Sequence, residues 1–214
     1  MVIVFFGPPG SGKGTQVQNL TNSNPDIICI SPGNMLRSEI ESNSILGIQI
    51  KKFMDSGQFV SNEIVLEIFE NELKENLSKN IILDGVPRTL DQAKEVDKIL
   101  AQHHLKIDYA FEFDVDKSIL LERILGRFTC KNCGATYHRT FNKPKVEGVC
   151  DVCGGTSFKI REDDQEEVLK KRLELYYLET LPILGYYKSK GVLHTIDATV
   201  SPHVVAQQIE SILA

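Results

Sequence analysis

The sequence predicts an α/β fold, a doubly wound parallel sheet of five strands with two smaller segments inserted into it. Two observations predict the sheet: five short β-branched or aromatic runs of strand length, and amphipathic helical patterns lying between them. In chain order, residues 2–6 form the first run, and the helical pattern after the next loop contains Val17 and Leu20. Residues 27–30 form the second run. Residues 31–60 then hold two helical stretches, split near Asn43 and Ser44, with no strand between them. Helical patterns over 64–77 and 90–100 precede strand runs at 81–83 and 109–113, and a further helix is expected over 117–125. Residues 127–163 carry Gly, Cys and Pro with little apolar periodicity. A long helical pattern over 165–187 leads to the last strand, 192–196, and a helix over 203–213 follows. Strands alternating with helices give right-handed parallel crossovers. The segments 31–60 and 127–163 break the alternation and are expected to be insertions, leaving a core of residues 1–30, 61–126 and 164–214. Insertions at strand ends are where such folds keep function.

The 214 residues suffice for one well-buried core with small appendages, and 42% hydrophobic with 25% charged residues is an ordinary globular composition. No run of eighteen apolar residues exists to span a bilayer. The start, Met1 to Phe6, has no basic lead and passes directly into Gly7, so a cytoplasmic location is expected. A net charge of −5 argues against duplex nucleic acid as the main partner, because backbone binding needs clustered cations. The 24 cations comprise 17 Lys and 7 Arg, the latter at 37, 88, 123, 127, 139, 161 and 172. With Lys as the default surface cation, a scarce Arg is expected where its planar fork meets phosphate or carboxylate.

Gly7-Pro-Pro-Gly-Ser-Gly-Lys-Gly-Thr15 follows the first strand and precedes a helix, the context a phosphate loop requires. Its glycines let successive N–H groups and the helix's positive end face a phosphate, while Lys13 reaches the outer phosphates. The strict motif is missed by one position, since Gly14 separates Lys13 from Thr15. The sheet is therefore expected to be of the P-loop NTPase type. Asp84 ends the run Ile81-Ile-Leu-Asp84 and is either a turn former or, given the loop, the carboxylate that orients Mg²⁺ and its waters.

Cys130-x2-Cys133 and Cys150-x2-Cys153, sixteen residues apart, have the spacing of two knuckles supplying four thiolates to a tetrahedral zinc; two disulfides or free thiols are the alternative. Four cysteine ligands leave no open position, so such a metal is structural and cross-links a segment lacking its own core. Cys29, in an apolar strand run, is expected to be a buried small hydrophobe.

Together these features resemble the adenylate kinase family, in the subgroup whose lid carries a structural zinc. The resemblance covers nearly the whole chain. It rests on Gly7 to Gln16, Ile30-Ser-Pro-Gly-Asn-Met-Leu-Arg37, Leu83-Asp-Gly-Val-Pro-Arg-Thr89 with Gln92, Arg123-Ile-Leu-Gly-Arg127, Phe141-Asn-Lys-Pro-Lys-Val-Glu-Gly148, and Arg161-Glu-Asp-Asp-Gln-Glu-Glu167 with Arg172. It implies transfer of the terminal phosphoryl group of Mg-bound ATP to AMP, giving two ADP, by a protein expected to be a monomer. It also implies residue roles. Gly10, Ser11, Gly12, Lys13, Gly14 and Thr15 would bind the ATP phosphates, and Arg123, Thr136, Tyr137 and Val200 would frame the ATP base. Pro32, Arg37, Gln58, Phe59, Val60, Gly85, Val86, Pro87, Arg88 and Gln92 would surround AMP, with Arg37 and Arg88 on its phosphate and Gln92 on its base. Arg127, Arg161 and Arg172 would close over the transferring group, so the catalytic set implied is Lys13, Asp84, Arg88, Arg123, Arg127, Arg161 and Arg172. Six of the seven Arg fall on these positions.

Helical geometry places Arg172 inside the apolar stripe of Val168, Leu169, Leu173 and Tyr176. An inward cation either has a buried partner or runs its stem over apolar surface to water. Arg161, just before Asp163 and Asp164 at a helix start, is a phosphate contact, a solvated hinge residue or a member of a local ion pair. His103 and His104 read as a helix C-terminal cap, and the five His lie outside every phosphate motif.

Four positions depart from the family pattern. Pro32 stands where a Thr is usual, removing a hydroxyl and a backbone donor. Asn34 replaces an Asp, Gln58 a Lys, and Phe128 an Arg. These departures bear on AMP affinity and acceptor preference more than on phosphoryl transfer. A kinase of another monophosphate, UMP or CMP, is the nearest alternative, and the long cysteine-tied segment argues against it. A nucleotide-switched nucleic-acid-binding protein is the alternative of another class, and Lys131, Arg139, Lys143 and Lys145 near Tyr137 and Phe141 are the residues it would use. The AMP phosphate is already an anion at neutral pH, so no general base is needed and positioning with charge neutralisation carries the catalysis.

Overall fold

The computed structural model describes residues 1–42 and 44–214, with side chains for all of these except Glu162. Asn43, on one side of the expected split in the first insertion, lies outside the described residues. β1 (Val2–Phe6) leads to α1 (Lys13–Ser23) and β2 (Ile27–Ile30), after which the first insertion supplies α2 (Pro32–Glu41) and α3 (Ile45–Asp55). α4 (Asn62–Glu75), β3 (Asn80–Asp84), α5 (Leu90–Gln102), β4 (Tyr109–Asp114) and α6 (Lys117–Leu125) resume the alternation. The second insertion contains β5 (Arg127–Cys130), β6 (Thr136–His138) and β7 (Phe158–Lys159). A 3-10 turn (Glu162–Asp164) opens a helical run of α7 (Glu166–Leu175), a π turn (Tyr176–Thr180) and α8 (Leu181–Ser189), followed by β8 (Leu193–Asp197) and α9 (Pro202–Leu213).

Five strands form one parallel sheet in the order β2-β3-β1-β4-β8. The central strand β1 is buried along its whole length, because helices cover both faces. Alternate residues serve opposite layers. Val2, Val4 and Phe6 pack with Phe69, Leu73, Val96, Leu100, Ile183 and Tyr187 of α4, α5 and α8. Ile3 and Phe5 pack with Phe111, Phe113 and Leu120, and with Val205 and Ile209 of α9. Each such large side chain, fully buried, contributes on the order of 1.5–3 kcal/mol from apolar transfer. From β1 the chain winds to one side for β2 and β3 and to the other for β4 and β8, so the crevice beyond the strands' carboxyl ends opens above β1.

The five strand runs and their helices lie where the periodicity puts them, with ends shifted by one or two residues. Two features differ. The pattern over 165–187 is one helical run, but it carries a π turn at Tyr176–Thr180. The second insertion is a small antiparallel sheet, β6-β5-β7, where no strand was expected. These short strands mix charged and polar residues with single aromatics, so they lack the continuous β-branched or aromatic run that marked the strands of the main sheet.

Candidate active site

The loop after β1 reaches α1 through two left-handed glycines, Gly10 (φ 84°) and Gly12 (φ 97°). A side chain at Gly10 would also meet Ile124 Cγ1 at 2.9 Å and the Leu120 carbonyl at 3.0 Å, so the loop packs directly on α6. Thr15 and Gln16 donate back to the Gly12 carbonyl at 3.1 and 3.2 Å, which fixes the first turn of α1. Lys13 Nζ donates to the Gly7 carbonyl (2.5 Å), the Pro8 carbonyl (3.0 Å) and Ser11 Oγ (3.2 Å). Burial lowers its pKa to about 8; repulsion from Arg88, Arg172 and Arg127 adds to the fall, and Asp84 opposes it. Asp84 ends β3 opposite Phe5 of β1 and faces the same cavity.

That cavity, of about 1130 Å³, is lined by all seven of the implied catalytic residues and by the loop from Gly10 to Thr15. Arg123 donates to the Ala198 carbonyl at 2.8 Å and the Thr199 carbonyl at 3.3 Å, and Val200, Thr136 and Tyr137 also line the cavity. Arg161 is half-buried and donates to Thr129 Oγ1 (3.2 Å) and Thr136 Oγ1 (3.3 Å), so its guanidinium is held in place at the cavity. Burial, with repulsion from Arg37 and Arg127, brings its pKa down to about 9. Burial likewise lowers Arg88 to about 10, with Arg172 adding to the fall, and it lowers Arg37 and Arg172.

The inward Arg172 has a partner: its Nη1 lies 2.9 Å from Asp163 Oδ2, 2.9 Å from the Asp163 carbonyl and 3.5 Å from Asp164 Oδ1. Asp164 also takes both arms of Arg127, from Nε at 2.8 Å and from Nη2 in a closer contact. Arg37 Nη1 stands 3.8 Å from Asp163. Burial pushes the Asp163 carboxyl up, but Arg172, Arg37 and Arg161 outweigh it and hold the group below its usual range. These two carboxylates organise the arginines, a role that sequence reasoning missed by taking them only as a helix start. The signal available was their place between Arg161 and Arg172 in a quoted motif.

On the opposite side, Pro32 occupies the first position of α2, where the missing N–H is one the helix leaves unpaired in any case. Ser31 precedes the helix as its cap position, and Asn34 Oδ1 accepts from Arg37 Nη2 at 2.8 Å. Arg37 and Arg88 converge there, each Nη2 lying 3.5 Å from where a Cβ on Gly33 would be. Arg88 is fixed at several points: its Nε donates to the Gly85 carbonyl (2.8 Å), its N–H to Gln92 Oε1 (2.7 Å), and its carbonyl accepts from Thr180 Oγ1 (2.8 Å). Its guanidinium lies 5.4 Å over the Phe59 ring. Gln92, 1% exposed, also donates to Asn62 Oδ1 at 2.8 Å. Gln58, Phe59, Gly85 and Pro87 line the main cavity; Pro32, Val60 and Gln92 line a small adjoining pocket. Val86 lines neither and is buried in the core.

The sulfurs of Cys130, Cys133, Cys150 and Cys153 lie within 4.8 Å of one another, with Cys130–Cys153 at 3.6 Å and Cys133–Cys150 at 3.5 Å. A disulfide needs about 2.0 Å, and no pair is so joined. A tetrahedral ion at about 2.3 Å from each sulfur sets them about 3.8 Å apart, so the donor set suits one ion held in common. Burial would raise the Cys150 thiol, but hydrogen bonds from Tyr137 and from the Cys153 and Val152 N–H groups bring it down. Cys29 is only half-buried and borders the main cavity, with its thiol pushed up by burial.

The family model described as adenylate kinase matches residues 5–192. A curated adenylate kinase of Allorhizobium ampelinum is 44% identical over 215 residues, covering 100% of this chain and 99% of its own. Those of Enterococcus faecalis (42%, covering 100% and 99%) and Methanosarcina barkeri (44%, covering 100% and 98%) are similar to the same extent.

Proposed function

The chain belongs to the adenylate kinase family, and from that premise we infer that it transfers the terminal phosphoryl group of Mg-bound ATP reversibly to AMP, giving two ADP. The observation that carries the assignment of roles is the convergence of Lys13, Arg37, Arg88, Arg127, Arg161 and Arg172 on one cavity. Burial and mutual repulsion there make the cations costly without an anion of several charges between them. Two nucleotides meeting through their phosphates supply that charge.

ATP lies with its phosphates on Gly10, Ser11, Gly12, Lys13, Gly14 and Thr15 and its base beside Arg123, Thr136, Tyr137 and Val200. AMP lies with its phosphate between Arg37 and Arg88 and its base toward Gln92 and the Pro32, Gln58, Phe59 and Val60 wall, next to Gly85 and Pro87, with Val86 behind them in the core. Its phosphate oxygen attacks in line without losing a proton first, so orientation lowers the barrier. Lys13 and the arginines spread the charge that develops on the transferring group. The Thr15 hydroxyl and the Asp84 carboxylate are hard oxygen donors on the same cavity, a fit for Mg²⁺ arriving with ATP. Bound there, Mg²⁺ neutralises phosphate charge. The four cysteines are assigned to a structural zinc.

Residues 127–163 act as a lid over ATP and 31–60 as a clamp over AMP, closing on the core of 1–30, 61–126 and 164–214. Support comes from contacts that join them: Lys159 pairs with Glu41, and Arg37 stands 3.8 Å from Asp163. No helix among the described residues is long and apolar enough to cross a membrane. A cytoplasmic monomer that binds no nucleic acid is the form assigned.

The test is a pair of steady-state series following ADP formation. Arg88→Ala should lower kcat/KM for AMP at least about 100-fold with a much smaller change in KM for ATP, and Arg123→Ala should act the other way. Equal effects on both substrates from either variant would contradict the assignment of the two sides.

A further inference from the structure

The second cysteine knuckle and the nucleotide cavity share one side chain. We propose that Tyr137 is a positioning residue that ties the lid's metal site to the ATP side of the cavity, its hydroxyl orienting the Cys150 sulfur while its ring forms part of the cavity wall. The proposal rests on reading the four-cysteine cluster as a zinc site. The hydroxyl oxygen accepts from the Asp151 N–H at 2.7 Å, so its own proton is left for the Cys150 sulfur at 3.3 Å. Donor and acceptor are thereby assigned in a contact whose direction distance alone leaves open. Both groups are sheltered, Tyr137 at 5% and Cys150 at 2% exposure, so water does not compete for the bond.

The ring has little freedom to move away. It stacks on Phe128 at 5.8 Å between centroids and meets Phe158 edge-on at 5.8 Å. Phe128 and Tyr137 are direct partners in the β5–β6 ladder, which sets the height of the ring above that sheet. Its neighbour Thr136 accepts from Arg161, one of the cations that face the phosphates. A displacement of the Cys150 knuckle is therefore passed through Tyr137 to β6, and so to the cavity wall and the Arg161 guanidinium.

An outer hydrogen bond to a metal-bound thiolate draws density from sulfur and fixes its direction, and loss of such a partner costs about 10–100-fold in metal affinity. The test uses the full chain with Tyr137→Phe, which keeps the ring and removes the hydroxyl, and Phe158→Leu, which disturbs the packing and keeps the hydroxyl. Competition against a chromophoric chelator should show zinc held about 10–100-fold more weakly by Tyr137→Phe. In the cobalt-loaded form its sulfur-to-metal charge-transfer band should move to longer wavelength, because the thiolate becomes a better donor; Phe158→Leu should leave the band in place. KM for ATP should rise in Tyr137→Phe by more than kcat falls. Unchanged metal affinity and an unmoved band would overturn the proposal, and a moved band with unchanged KM for ATP would overturn the link to the cavity. Wild-type chain that takes up no zinc would overturn the metal reading and the proposal with it, a different failure from a variant that behaves as wild type.

Discussion

Lys13 lies among guanidinium groups with a pKa near 8 instead of 10.5, and a consequence of pH follows at the level of this one residue. Its folded value is lowered, so between pH 8 and 10.5 the unfolded chain binds the proton that the folded chain releases, and stability from this group rises as pH climbs through that window. A bound polyphosphate reverses the balance by favouring the ammonium. Binding of ATP at pH 9 should therefore take up protons, read by calorimetry in two buffers of different ionisation enthalpy, with little uptake at pH 7. Absence of uptake at pH 9 would mean that Lys13 does not face the phosphates. Thr180 gives a second residue-scale prediction, since its hydroxyl holds the Arg88 carbonyl across 92 positions of sequence. Thr180→Val should raise KM for AMP by about fivefold, the loss of one hydrogen bond worth ~1 kcal/mol, and Thr180→Ser should restore it. The cations of the site were legible in the sequence because Arg is scarce and each one falls in a motif. The groups that aim them, Asp163, Asp164 and Thr180, were not, because the role of such a polar group depends on a partner brought near only by the fold.

At the scale of the element, the five strands were legible as continuous β-branched or aromatic runs and their helices by an amphipathic period, and the phosphate loop because its context is local. The strands β5, β6 and β7 of residues 127–163 escaped because they lack such runs and pack instead on the small cluster of Cys130, Ala135, Tyr137 and Cys150. The end of α5 was legible in the paired histidines, though the device there is conformational. His104 adopts φ 58°, the left-handed state that terminates a helix, and its N–H closes on the Ala101 carbonyl at 3.1 Å. Glycine takes that conformation without a Cβ clash, so His104→Gly should raise stability by about 0.5–1 kcal/mol in denaturant unfolding. Pro32 at the head of α2 also changes weight at this scale. As the first residue of the helix it forfeits an N–H the helix does not use, so its effect on AMP comes from the missing hydroxyl and stays modest.

For the whole molecule, the sheet provides a fixed floor and the two insertions provide walls that meet through Lys159–Glu41 and the Asp163 carboxylate. Residues 127–163 have too small an apolar core to hold their shape alone, so the zinc proposed on the four sulfurs would contribute folding energy rather than chemistry. Chelating zinc should lower the melting temperature by at least about 5 °C, the effect of some 2 kcal/mol in a chain of this size, before it lowers turnover of protein that is still folded. Loss of turnover at unchanged stability would place the metal in the reaction. This cavity is proposed to align AMP against ATP so that the phosphoryl group passes directly between them. That alignment is tested most directly by following ADP formation from Mg-bound ATP with AMP, GMP, CMP, UMP or buffer alone. The account predicts AMP far ahead of every other acceptor and negligible ADP in buffer; another monophosphate ahead of AMP, or no acceptor above buffer, would contradict it.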